Sequence, residues 1–153
     1  MSRERGGPVT APAVDARSGS GLRWTLRIIG AALLAAMAWI HLDLWTDGYR
    51  TIDVIGPAFL LAVVAGAGLA VLLLVTPRPL IGWVAAAGAL TAAGTLGGLF
   101  LATTVGLFGF TESTAARLWW ESFWVELAAV VVLGTLAALS RGRRRARPGA
   151  GGP

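Results

Sequence analysis

The chain has 153 residues, 56% of them apolar and only 14% charged, with a mean hydropathy of +0.70. Soluble domains carry about 25% charged residues, and so short a chain cannot bury this much apolar surface in one core, so lipid is the implied solvent. It has no cysteine, which excludes disulfides, thiolate nucleophiles and Cys-ligated metals, and its net charge of +5 comes entirely from arginine.

In chain order, residues 1–21 are rich in Gly, Pro, Ser and Ala without apolar periodicity and read as a disordered basic tail. Four apolar segments follow, over about 22–44, 54–75, 80–108 and 118–139. Each approaches or exceeds the ~20 residues needed to cross a ~30 Å hydrocarbon layer. The first is too long for a signal-peptide core and is followed by Trp39-Ile40-His41-Leu42 instead of a small-residue cleavage site. Residues 140–153 form a second disordered tail, polybasic and then Gly/Pro-rich. The expected fold is all-α, a membrane four-helix bundle between disordered termini. Its connections are short, and Thr76-Pro77-Arg78-Pro79 is a proline-stiffened turn.

Arginine placement predicts the orientation. The N-terminal flank, Arg78 and the C-terminal flank hold 11 of the 13 arginines, leaving Arg50 and Arg117 on the other side. The positive-inside rule then puts both termini in the cytoplasm, N-in and C-in, of a plasma membrane. Arg141, Arg143, Arg144, Arg145 and Arg147 form a juxtamembrane run suited to anionic lipid. A pI near 11.5 does not make this a nucleic-acid binder, because no folded domain presents the charges. Trp45, Trp119 and Trp120 mark the outer interface and Trp24 and Trp83 the inner one, whereas Trp39 and Trp124 are expected between helices. Gly94, Gly98, Ala102 and Gly106 form a small-residue stripe expected to pack the third helix closely; Ala62, Gly66 and Ala70 make a weaker stripe on the second.

Ionisable groups inside hydrocarbon are costly and often functional. His41 lies roughly 5 Å, and Glu126 roughly 10 Å, inside the outer boundary at 1.5 Å per residue. If the first and fourth helices are neighbours, the two side chains can meet, with Thr103 and Thr104 at a comparable depth. Such a cluster suits a proton relay or the polar head of a lipid-soluble molecule such as a quinone. The bland alternative is a neutral, hydrogen-bonded Glu126 and a His41 that snorkels to the interface. One histidine with scattered carboxylates offers no metal-ligand spacing, and haem would lack a second histidine. Phosphate-binding glycine loops, HExxH and GxSxG are missing.

The stretches His41-Leu-Asp-Leu-Trp45, Gly48-Tyr-Arg50 and Ile55-Gly-Pro57-Ala-Phe-Leu-Leu61 resemble uncharacterised small four-pass membrane proteins of actinobacteria, as do Gly94-Thr-Leu-Gly-Gly-Leu99 and Gly106-Leu-Phe-Gly-Phe-Thr-Glu112. An arginine opening the first helix and a polar outer end bear a fainter likeness to DoxX-like proteins. The resemblance implies a four-pass fold and brings no activity with it. The leading expectation is a non-enzymatic accessory or interaction subunit of a membrane assembly, without cofactor or metal, whose partners are the lipid bilayer and a membrane protein or a second copy. A binding or redox-accessory protein for a small hydrophobic ligand at His41 and Glu126 is the alternative, and a proton-coupled transporter is a third.

Overall fold

The computed structural model describes residues 14–145, which form α1 (Val14–Thr46), a 3-10 turn (Tyr49–Thr51), α2 (Ile55–Val75), α3 (Ile81–Thr104) and α4 (Trp119–Arg145). All four helices are long and apolar enough to span a bilayer. The chain is a multi-pass integral membrane protein with an up-down-up-down order. α1 lies against α2 and α4, and α3 completes the ring; α1 and α3 barely touch across the diagonal. The tightest pairs are α1–α2 and α3–α4, and α2–α3 is the loosest adjacent seam.

The core is built from Leu34, Met37, Leu73, Leu133 and Leu136 interleaved with Ala85, Ala92 and Ala129, all fully buried. α3 buries only 17% of its most apolar stretch, so its outward Leu90, Phe100 and Leu101 need hydrocarbon around them. Lipid tails are as apolar as leucine, so helix association rests on dispersion contacts and close approach.

The glycine that permits this approach is not on the expected stripe. A Cβ at Gly66 would lie 3.0 Å from Met37 Cε and 3.1 Å from the Leu34 carbonyl oxygen, so α1 and α2 approach closely there and any side chain would have to push its neighbours aside. Gly94 and Gly98 meet nothing within 4 Å, and Gly106 is not helical. Of the four stripe residues only Ala102 is buried. The weaker α2 stripe, buried at Ala62, Gly66 and Ala70, packs closely instead, and on α3 the close approaches are at Gly82 and Gly88.

Element limits also differ from those the hydropathy implies. α3 stops at Thr104, not Phe108, because Gly106, Phe108 and Gly109 take positive φ. Leu107 and Phe110 exchange backbone hydrogen bonds across a tight turn with Phe108 and Gly109 at its centre. These residues are as apolar as the helix, and hydropathy does not distinguish them. α1 begins at Val14 and not Leu22, and α4 runs on to Arg145 past Leu139, since arginine is a good helix former. Arg143, Arg144 and Arg145 thus continue α4, and Arg147 lies outside the described residues. Arg141 sits over the Trp83 ring at 5.5 Å. Trp39 and Trp124 are 68% and 59% exposed, so they face outward instead of packing between helices.

Two arginines of α1 fasten the end of the bundle near Arg78. Arg27 is buried; its Nε donates to the Leu73 carbonyl at 2.8 Å, and its Nη2 to Leu74 and Thr76 at 3.0 Å. It thereby satisfies carbonyls that a helix C-terminus leaves orphaned. Trp24 covers its guanidinium at 4.7 Å. Arg23 donates to Leu139 of α4 at 2.9 Å. Arg27→Met is expected to lower stability by about 3 kcal/mol, the order of a charge-assisted bond lost with its acceptors orphaned, measured by thermal unfolding in detergent. Arg27→Lys restores little, because one ammonium cannot reproduce the two-nitrogen geometry.

Candidate functional site

At the opposite end, which carries the Tyr49–Thr51 turn and the 105–118 loop, the four helices enclose a cavity of about 250 Å³. Phe59 and Ala62 of α2, Gly98 and Leu99 of α3, and Trp119 of α4 supply much of its apolar wall. The sequence keeps this space free because Gly94 and Gly98, at one-turn spacing on α3, project no side chain into it.

His41 and Glu126 lie in the wall. α1 and α4 are neighbours, and His41 Nε2 stands 3.8 Å from Glu126 Oε1. Both are buried, Glu126 to 1% exposure. His41 Nδ1 lies 2.9 Å from the Met37 carbonyl. A carbonyl can only accept, so Nδ1 carries the proton and Nε2 is the nitrogen turned toward Glu126. Phe59 packs on the ring with centroids 5.0 Å apart. Among the described residues no group donates to Glu126 Oε2.

Thr103 and Thr104 are not part of this arrangement. Thr103 donates to Leu99 and accepts from Trp119 Nε1 at 3.0 Å, which fixes the indole at the top of α4. Thr104 is exposed and bonds back to Phe100. Thr95 and Ser122 line the cavity beside Glu126 instead. Ser122 shares the Glu126 face of α4 and was legible from helical spacing. Thr95 becomes the relevant threonine because α3 ends early, which moves Thr103 to the helix boundary and Thr95 to the depth of the carboxylate.

The top is closed by loop residues. Tyr49 donates to Glu112 Oε2 at 2.5 Å and stacks on Phe59 at 4.9 Å. Burial, with the Glu112 carboxylate beside it, pushes the Tyr49 phenol well above its ordinary value. It therefore remains a neutral donor throughout the physiological range. Arg117 pairs with Asp43 and, at 3.3 Å, with Asp47, tying the 105–118 loop to the end of α1. The Glu112 amide donates to Ala102 at 3.0 Å and holds the loop on α3. Tyr49 and Glu112 carry no intramembrane signal in the sequence, and only the folded loop brings them together. No group of three or more metal-binding side chains occurs among the described residues.

These features define the class, a four-pass helical membrane protein with an apolar cavity ending on a histidine–carboxyl pair. Compared with known protein families, curated proteins and solved structures, the chain matches none.

Proposed function

We propose that this protein binds a lipid-soluble molecule through a small hydroxyl-bearing head in the cavity between His41 and Glu126. The observation that carries the reading is the pair itself. Its 3.8 Å separation is too long for a direct hydrogen bond and suits one hydroxyl that donates to His41 Nε2 and accepts from a protonated Glu126 carboxyl. An alcohol, a phenol or a hydroquinone has such an oxygen. The surrounding wall is apolar with few polar groups, as small-molecule sites generally are.

The test is native mass spectrometry of the protein extracted in mild detergent. A bound small molecule is expected on the single chain. His41→Ala and Glu126→Gln should each lower its occupancy at least ~10-fold, the loss of roughly one buried hydrogen bond. Equal occupancy in all three proteins refutes the reading. A second reading, an accessory subunit of a membrane assembly, is favoured by a shallow groove between α3 and α4, where Gly97, flanked by Ala93, Phe100 and Phe123, leaves room for another helix. A bound protein chain in the same spectrum would favour it.

Orientation belongs to the same proposal. The 11 arginines gathered at the Arg78 end and the tails support a cytoplasmic location for that end in the plasma membrane, and an outward-facing cavity. The natural sequence has no cysteine, so single cysteines report cleanly. Thr114→Cys is expected to react with an impermeant maleimide on intact cells and Arg78→Cys only after lysis. The reverse pattern inverts the topology.

A further inference from the structure

The cavity has two conceivable mouths, and they differ. Toward the loops it is shut by the Tyr49–Glu112 hydrogen bond and by Arg117 anchored on Asp43 and Asp47. Sideways it is not shut. Among the described helical residues that line it, Ala58 of α2 and Gly94 of α3 are exposed on the surface of the bundle, whereas His41, Ala62, Ser122 and Glu126 are buried. Ala58 and Gly94 line the cavity from α2 and α3, the two helices whose adjacent seam is the loosest. By helical rise they lie ~4.5 Å and ~15 Å below the loop ends of their helices. Gly94 thus lies well inside an apolar span, and the seam beside it faces outward from the bundle and not toward the loops.

The volume agrees. Sites that take a whole drug-sized molecule run from ~300 Å³ upward, and this one holds about 250 Å³. A ring or a short head fits, and a long tail does not. Glu126 supplies the reason for a polar head to come this way, since its Oε2 is buried and has no donor among the described residues.

We propose that the α2–α3 seam is a lateral portal through which an amphipathic lipid with an alcohol or phenol head reaches His41 and Glu126 from the bilayer, its tail remaining between Ala58 and Gly94 in the acyl layer. This rests on the binding function proposed above and adds the route and the tailed chemistry of the ligand. Small side chains at both positions leave the gap that a tail requires.

The test uses dodecylphenol carrying a diazirine on the first carbons of its tail, photolysed with the full-length protein in lipid nanodiscs and mapped by peptide mass spectrometry. Adducts are expected on α2 and α3 around Ala58 and Gly94, lost in Glu126→Gln and reduced several-fold in Gly94→Leu. Adducts on the Tyr49–Thr51 turn or the 105–118 loop that still depend on Glu126 overturn the portal and leave the binding site standing. Adducts indifferent to Glu126→Gln refute the binding site and the portal together.

Discussion

Glu126→Met is expected to abolish retention of the bound molecule and, at the same time, to stabilise the protein. The two effects have one origin. Glu126 Oε2 is buried without a donor among the described residues, and a buried polar atom left unsatisfied costs about 1–3 kcal/mol. Methionine matches glutamate in length, has no such atom, and adapts to the Leu133 and Ala129 surroundings of α4. Unfolding in detergent should become harder by about that amount, while occupancy of the ligand falls roughly 10- to 100-fold. Glu126→Gln separates the two, because it keeps a buried polar head and should lose binding without gaining stability. A Met variant that melts earlier than the natural protein would show that the carboxyl is a structural hydrogen-bonding group and not a ligand group.

Gly66→Leu is expected to break the α1–α2 contact. Its side chain would run into Met37, the Leu34 carbonyl and Ala38 at once, and the carbonyl cannot turn aside without breaking α1. Overpacking generally costs about 1–3 kcal/mol and sometimes more; here the α1–α2 contact must part, so loss of folded protein on size-exclusion chromatography is the expected readout. Gly94→Ala and Gly98→Ala should leave the elution profile unchanged, because a Cβ at either meets nothing within 4 Å. Equal damage at Gly66 and Gly94 would contradict the packing described for both.

The four spans were legible because a bilayer leaves a coarse signal: twenty or so apolar residues, bounded by prolines, tryptophans and arginines. The nearness of His41 and Glu126 was legible in part, since depth can be counted from helix ends, although the α1–α4 contact that brings them together could only be supposed. What escaped the sequence was finer. A glycine stripe is ambiguous, because removing side chains can admit a neighbouring backbone, as at Gly66, or can leave a cavity, as at Gly94 and Gly98. The end of α3 escaped because Leu107 and Phe108 are apolar yet lie in a turn set by positive φ, and with the helix ending early it is Thr95 and not Thr103 that lines the cavity. By sequence Arg27 is one more arginine of the N-terminal flank, and hydrogen bonds that join residues 46 to 49 positions apart have no local signature.

Arg27 also bears on how the protein is made. A lone arginine in an apolar helix opposes transfer from the translocon into lipid, by up to about 2.5–3.5 kcal/mol near the middle of a span. Its three acceptors, the carbonyls of Leu73, Leu74 and Thr76, emerge from the ribosome only after the whole of α2 has been synthesised. Arg27 therefore reaches its final hydrogen bonding only once α1 is half of a hairpin. Biogenesis favours release of α1 and α2 together, before the second hairpin, α3 with α4, closes against them.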